Sequence, residues 1–575
     1  MPRANEVVEA LLQEYSDLLA ISGGDPFRVR TYEKAARSVG GYHTDLAALD
    51  RDGVLKIPSV GSSTADKIME ALGTGTFRQL DDLREQVPAG VREMISIPTL
   101  GPKKAMVLYR DLHISSVEEL ADAIHEGRLT GLKGFGPKTE ENILHGIALM
   151  QQSGGRVQVG VALELAEEII GELSGVRGCA KCTYAGSLRR MAETIGDIDI
   201  LVAAKRAAPV MDAFTSLSYV AEVIARGDTK SSIRTTKGLQ VDLRVVPPDV
   251  WGAALQYFTG SKAHNIRTRE IAVRKGLKLS EYGIHDVETD QLIVSRTEEE
   301  VYEQLGLPWI PPVLREDRGE IEAALRGELP TVVELGDIRG DLHTHTNLTD
   351  GLATLEDMVA TAAVRGYRYY AITDHAPNLY MQRMTDEKML AQRDQVRKLQ
   401  SKYPKMELLH GTELNIDADG GVDWGPEFLD GFEVCVASVH SLFNQSKDEM
   451  TQRIVRACEN AHVNIIGHPT GRQIGGRAPV DVDLEEVFRA AARTGTALEV
   501  NAFPDRLDLR DEHVMWARRH GVKFAVDTDS HSTVHLAFMR FGVATAQRGW
   551  LSKDDVINTW PLPKLRKFLR KGRAS

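Results

Sequence analysis

The sequence predicts a multidomain chain of α+β and α/β class: a helical amino-terminal part, a central domain on an antiparallel or mixed sheet, and a carboxyl-terminal distorted β/α barrel. Three observations predict it. The first 150 residues are helix-rich and carry three similar glycine-containing turns. The middle carries alternating apolar runs interrupted by aspartates. From Arg339 onward, apolar run, His/Asp/Glu residue and helical stretch recur about seven times, and 11 of the 17 histidines fall there. At 575 residues the chain is long enough for several domains, each with its own core.

Composition narrows the class. No apolar run reaches transmembrane length, so no membrane partner is expected, and Asn5–Ile21 reads as an amphipathic helix rather than a signal peptide. Four cysteines argue for a reducing compartment and against a disulfide framework. Cys179 and Cys182 form a single C-x-x-C; without a second pair it reads as a surface coincidence, not a zinc site. The net charge of −12 is weak evidence against a nucleic-acid partner, because basic groups can line one face of an acidic chain.

Residues 1–95 read as helices punctuated at Gly24-Asp25-Pro26 and Gly40-Gly41. Within them, Ile57-Pro58-Ser59-Val60-Gly61 precedes a helix carrying Ala65, Lys67 and Ile68. Residues 96–155 hold two further copies: Ile97-Pro98-Thr99-Leu100-Gly101-Pro102-Lys103-Lys104-Ala105 and Leu132-Lys133-Gly134-Phe135-Gly136-Pro137-Lys138-Thr139. Such a turn lets successive amides face outward at a helix start, where they bind phosphate without reading bases. The three copies resemble helix-hairpin-helix motifs, which implies DNA-backbone binding around Gly61, Gly101, Lys103 and Gly136.

The central domain is read from residues 186–201, GSLRRMAETIGDIDIL. Asp197 and Asp199 interrupt an apolar run that continues through Ile198, Ile200, Leu201 and Val202, so they share one face of a strand. Adjacent carboxylates repel unless a cation lies between them, and hard oxygen ligands suit Mg2+ or Mn2+. Upstream, Gly186-Ser187 reads as a tight strand-to-helix turn with Arg189 and Arg190 in the first helical turn, a place suited to phosphate. Asp242, beside Arg244 in the alternating run Gln240–Val246, is expected to meet the aspartate pair across the sheet. Phosphates on one side and metal-holding carboxylates on the other describe a nucleotidyl-transfer site.

These elements resemble the catalytic core of the family X DNA polymerases, the group that contains DNA polymerase β. The resemblance implies a palm at 156–250, with Gly186, Ser187, Arg190 and Gly196 around the nucleotide triphosphate and Asp197, Asp199 and Asp242 as catalytic metal ligands. Tyr257-Phe258-Thr259-Gly260-Ser261 matches the family's Y-F-T-G-S turn in a nucleotide-binding subdomain at 251–315. Tyr257, Phe258 and Gly260 then lie against the sugar, Asn265 against the incoming base or minor groove, and Arg244 and Arg269 toward DNA. Lys262, Ala263 and His264 depart from the eukaryotic pattern. Phe27–Lys67 resembles the family's 5′-phosphate-gripping domain. Lys34 and Lys67 match its basic positions, and Lys67 matches either a lyase Schiff-base lysine or a plain phosphate contact. Ser63 stands where the family places another lysine. Residues 316–338 read as a charged helical linker.

In 339–575 the metal-type residues follow apolar runs: His343 and His345, Asp350, His375, Glu413, His440, His468, then Asp529 and His531. A β/α barrel presents ligands in this way at the carboxyl ends of its strands. The arrangement resembles the PHP (polymerase and histidinol phosphatase) domain, whose nine ligand positions these residues fill. The resemblance implies up to three ions, with mixed imidazole and carboxylate ligands suiting Mn2+ and/or Zn2+, and metal-dependent phosphoester hydrolysis. Together the two resemblances imply a bacterial family X DNA polymerase filling short gaps in base excision repair with 3′→5′ exonuclease activity. Gapped or primed DNA and deoxynucleoside triphosphates are its implied partners, as a cytoplasmic, nucleoid-associated monomer. The alternative is a PHP phosphoesterase or abasic-site endonuclease targeted by a polymerase-like clamp. A repair scaffold is the third reading, and the full sets of site residues weigh against it.

Overall fold

The structure, a computed structural model, describes residues 4–571 apart from 41, 43, 88, 95–96, 98–99, 130, 133, 137–138, 141–142, 145–146, 148–154 and 383. Pro98, Thr99, Lys133, Pro137 and Lys138 of the glycine turns, and the side chain of Lys103, lie outside the described residues.

The amino-terminal part is helical. Helix Ala4–Ile21 buries Val8, Leu11, Leu12, Tyr15, Leu18 and Leu19, the three-and-four spacing of one helical face. The core it joins runs without a break from Val8 to Ile147. Among the described residues, Val91 and Met94 before position 95 and Leu100 and Leu108 after it are buried in that same core.

The central sheet has five strands in the order Cys179–Tyr184, Asp197–Ala204, Gln240–Val246, Lys230–Thr235, Val220–Arg226. Only the pairing of Asp197–Ala204 with Gln240–Val246 is parallel. Its register sets Asp199 opposite Asp242. Cys179 and Cys182 are half-buried against the core of this domain rather than on open surface.

Helices Trp251–Thr259 and Lys262–Arg274, a three-stranded antiparallel sheet and helix Glu298–Leu305 follow. The stretch read as a linker is not loose: helix Glu320–Arg326 inserts Ile321 and Ala324 into this subdomain's core. Glu320, fully buried, accepts from His264 Nδ1 at 2.7 Å and from the N–H groups of Asp317 and Arg318. A buried carboxylate needs such partners, and sequence pattern alone does not reveal them.

The carboxyl-terminal part is a nearly closed parallel barrel of seven strands in sequential order: Gly340–Asp341, Tyr369–Ile372, Glu407–Asn415, Val434–Ser438, Ile465–Ile466, Ala497–Asn501 and Phe524–Asp527. A bridge between Thr344 and Ser530 and a bond from Leu342 N to Asp527 Oδ1 (2.8 Å) bring first and last strands together. Apolar residues such as Tyr369, Val436 and Ala525 form a core with Ile557, Trp560, Leu565 and Leu569 of the last segment. The barrel also packs on the palm, where Leu507 and Phe541 enter the palm core and Arg472 pairs with Glu193 at 2.7 Å. Among the described residues no helix is long and apolar enough to cross a membrane.

Candidate functional site

In the palm, strand Asp197–Ala204 alternates in burial as its sequence alternates, leaving Asp197 exposed and Asp199 half-buried beside Asp242. Asp199, Asp242, Lys230, Arg244 and Phe258 line one pocket. Burial, reinforced by Asp197 and Asp242, pushes the Asp199 carboxyl up to about 7. Lys230 Nζ lies 3.4 Å from Asp242 Oδ2, and Gln240 Nε2 donates to Asp242 Oδ1 at 3.0 Å. Carboxylates that raise one another in this way are of the chemical kind that suits a hard divalent cation, although among the described residues the three do not close into a ligand group as the barrel residues do. Lys230 was not foreseen: it reaches the site only because its strand pairs with Gln240–Val246.

Gly186 sits at φ +60, and a Cβ there would lie 2.1 Å from Asp199 Oδ2. Both facts require glycine. Its helix is a single turn, Gly186–Arg189, with Arg190 just beyond it. Gly196 faces Arg156 Nη1, 3.0 Å from where a Cβ would stand. Arg189 is not available to phosphate. It donates to both oxygens of Glu298 (2.9 and 2.8 Å) and to Thr259 Oγ1 (2.6 Å). Burial would raise the Glu298 carboxyl, but Arg315 and Arg189 outweigh it and hold it at about 2. Arg190 donates from Nε to Glu316 (3.0 Å) and from Nη1 to the Thr259 carbonyl (2.6 Å). Ser187 stands one residue into the turn, half-buried.

Tyr257 and Phe258 meet edge to face at 5.1 Å, with Arg269 over the Tyr257 ring and Arg244 over Phe258. Gly260, at φ +68, lies against Arg190 Nη1. Asn265 makes internal hydrogen bonds. Its Nδ2 donates to the Tyr257 carbonyl (2.7 Å), its Oδ1 accepts from Gln256 (2.9 Å), and it is buried. It braces the Tyr257 turn from inside.

Gly61 and Gly101 cap helices Ser62–Thr74 and Pro102–Leu112. At Gly61, Gly101 and Gly136 φ is not left-handed and a Cβ would meet nothing within 4 Å. Neither strain nor internal packing calls for glycine there. Lys34 is exposed on helix Pro26–Gly40. Lys67 is buried, its Nζ donating to Ser63 Oγ (3.0 Å) and lying 5.5 Å from the Tyr32 ring centre.

In the barrel the nine residues converge. His345, Asp350, His375 and His531 form one group able to hold an ion, His343, His345 and Asp529 a second, and His375, Glu413 and His440 a third. His468 joins through Glu413 Oε1 at 3.2 Å. His343 Nε2, both nitrogens of His345, His375 Nδ1 and Asp350 Oδ1 are buried without a hydrogen-bond partner among the described residues. Buried lone pairs gathered around these three groups, with carboxylates beside them, fit cations. Burial lowers His468 to about 4 and His345 below its usual range, whereas at His343, His375 and His531 burial is outweighed by neighbouring carboxylates, which raise the first two and push His531 up to about 9. Burial would raise the Glu413 carboxyl, yet His440, His375 and His343 hold it well below the carboxylate range.

The sixth strand carries none of the nine. It supplies Glu499, which accepts from His343 Nδ1 (2.7 Å), while Asn415 Oδ1 bonds His440 Nδ1 (2.7 Å). Such partners fix ring orientation. Glu499 escaped the sequence reading, although an acid inside the apolar run Ala497–Val500 was a signal. His468 and Asp529 adopt positive φ (+27 and +51), strain of the kind that collects at functional sites.

A palm with a carboxylate cluster, joined to a barrel with a multi-histidine metal centre, defines a class: polymerase-type nucleotidyltransferase folds carrying a second, phosphoesterase-type domain. Comparison narrows it. Family models match for a helix-hairpin-helix domain (residues 3–77), a SAM-like helix-hairpin-helix tandem (91–148), a DNA polymerase beta thumb (254–316) and a PHP domain (341–502). The chain is 36% identical to the DNA polymerase/3′-5′ exonuclease PolX of Bacillus subtilis over 98% of both chains. It is 26% identical to DNA polymerase lambda of Rattus norvegicus over 51% of this chain and 53% of that one. A probable phosphatase of Thermoanaerobacter sp. is 28% identical over 40% of this chain and 94% of its own length. The chain belongs to the PolX-type family X DNA polymerases with a carboxyl-terminal PHP domain.

Proposed function

We propose that the chain is a DNA-directed DNA polymerase that fills short gaps in base excision repair and degrades 3′ ends with its barrel. The observation that carries it is the pairing of Asp199 with Asp242 across parallel strands, with Asp197 on the same face. Gapped or primed DNA and deoxynucleoside triphosphates are its substrates, and it works as a monomer in the bacterial cytoplasm, at the nucleoid. The functional units are 1–155 for DNA binding, 156–250 for catalysis, 251–315 for the nucleotide and 339–575 for hydrolysis.

Asp197, Asp199 and Asp242 would hold Mg2+ or Mn2+; the barrel's nine residues would hold up to three Mn2+ and/or Zn2+. Such ions supply Lewis-acid stabilisation of phosphate charge and a more acidic water or hydroxyl. Ser187, Arg190 and the amides after Gly186 receive the β and γ phosphates. Tyr257 and Phe258, stiffened by Arg269 and Arg244, wall the sugar, and Asn265 acts by holding the Tyr257 carbonyl in place. The glycine turns and Lys103 grip the DNA backbone, with Lys34 and Lys67 at the 5′ phosphate of the gap. In the barrel, Glu499 and Asn415 hold His343 and His440 in ligand orientation.

The test is a 5′-labelled primer in a gapped duplex with manganese, with and without nucleotides. Wild type extends the primer when nucleotides are present and shortens it to a ladder when they are absent. Asp199→Ala loses extension alone and His343→Ala loses the ladder alone. Loss of both activities in either folded variant would refute the two-site assignment. The barrel's likeness to a probable phosphatase favours a second reading: extension with no ladder would assign the barrel to another phosphoester.

A further inference from the structure

We propose that Arg548, in the barrel, is a positioning residue for nucleotide binding in the palm, acting through Glu316 on Arg190. The proposal rests on the polymerase reading of Arg190 given above.

Arg548 ends helix Met539–Arg548 and is buried. Its Nε donates to Asp511 Oδ2 (2.8 Å), anchoring it within the barrel. Its Nη1 crosses to the palm side, donating to the Arg190 carbonyl (2.7 Å) and to Glu316 Oε1 (2.8 Å). That same Glu316 oxygen accepts from Arg190 Nε (3.0 Å). One carboxylate oxygen is thus shared by a barrel guanidinium and a palm guanidinium. Arg190 is held at three points: its carbonyl by Arg548, its Nε by Glu316, and its Nη1 by the Thr259 carbonyl. Its Nη2 is the edge that none of these contacts occupies.

The surrounding interface is packed, so the clamp is not an isolated surface pair. Arg318 also binds Asp511 (3.0 Å), and the palm core takes in Leu507 and Phe541 of the barrel. An arginine free to sample rotamers loses that freedom when it binds phosphate; one already clamped does not. Charge acts in the same direction. With Arg548 present, Glu316 answers two cations and leaves Arg190 with net positive field for an anion. Without Arg548, the carboxylate pairs with Arg190 alone and competes with the triphosphate for it. The docked barrel thereby raises the affinity of the polymerase site for nucleotide.

The test uses the full chain: single-nucleotide insertion at a gap, read as KM for the nucleotide and kcat, with barrel hydrolysis measured on the same preparations. Arg548→Met is expected to raise KM about tenfold with kcat nearly unchanged, and to leave hydrolysis intact. Arg548→Lys, with a single point charge in place of a fork, falls between. Adding Arg548→Met to Arg190→Ala should raise KM no further than Arg190→Ala alone. An unchanged KM in Arg548→Met while Arg190→Ala raises it would overturn the proposal, as would additive effects or parallel loss of both activities. An unchanged KM in Arg190→Ala itself would instead overturn the reading of Arg190 on which the proposal rests. If Arg548→Met does not fold, Arg548→Gln, which keeps a polar side chain and loses the charge and the fork, carries the same test: raised KM with intact hydrolysis supports the clamp, and unchanged KM removes it.

Discussion

The palm and the barrel each gather carboxylates, but they neutralise them differently. In the palm, Asp199 lies opposite Asp242 with Asp197 on the same strand and Lys230 beside Asp242, and the Asp199 carboxyl is driven up to about 7. In the barrel, Glu413 is ringed by His440, His375 and His343, and Asp529 by His343, His345 and His531, so both stay well below the carboxylate range. The barrel is a pre-assembled ligand cage; the palm is a charge-frustrated pocket completed by what it binds.

The sharpest way to break this comparison is to delete one centre at a time. Asp199→Ala should lower nucleotide incorporation by at least about a thousandfold and His343→Ala should lower ladder formation similarly, each sparing the other; paired rates from one preparation would show it. Gly186→Ala tests the palm's crowding without removing a carboxylate. Because a methyl there meets Asp199 Oδ2 and the φ is left-handed, incorporation should fall about a hundredfold, while hydrolysis and the melting curve of the barrel stay unchanged.

Glu499→Gln tests the barrel's pre-assembly. It keeps the shape beside His343 Nδ1 and removes the charge, so metal affinity by titration should fall about 10- to 100-fold with incorporation unaffected. Unchanged affinity would mean that the ring is held by packing alone.

The smallest effect is a stability difference of opposite sign in the two regions. Asp199 binds its proton more tightly when folded, so its contribution is present below the ordinary pKa of 3.8 and is lost as pH rises through about 7. In chelator, Asp199→Asn should therefore melt above wild type at pH 8 and alongside it at pH 4, by roughly 2 kcal/mol after allowing for partial exposure. Added Mg2+ should erase the gap by stabilising wild type. Glu413 runs the other way: its carboxyl is held low, so its contribution is present at neutral pH and lost as pH falls into acid. A wild-type palm equally stable in chelator at pH 5 and pH 8 would show that Asp199 ionises freely.

Much of both centres is legible in the chain because local periodicity carries it. The two-residue period of a strand places Asp197 and Asp199 on one face whatever the rest of the molecule does. Apolar runs ending in His, Asp or Glu mark strand ends in the same way, and the helical spacing of Val8, Leu11, Leu12 and Tyr15 needs no partner to be read. The motif at 257–261 locates a turn but not its bracing. Asn265 reads as a nucleotide contact and lies buried under Tyr257, because only the packed helix pair decides which way its amide faces. Helix Glu320–Arg326 reads as linker because its partner His264 is 56 residues away.

By itself, then, the sequence determined the kinds of element, their order, and the periodic placing of the candidate residues, since these depend on neighbours within a few positions. Tertiary structure alone decided the pairings: Asp199 with Asp242, Lys230 beside them, Glu499 behind His343, Arg189 committed to Glu298, and Arg548 reaching across to Arg190. Those pairings join residues from tens to hundreds of positions apart. Their energies depend on strand register, burial and shared charge, which exist only once distant segments have packed together.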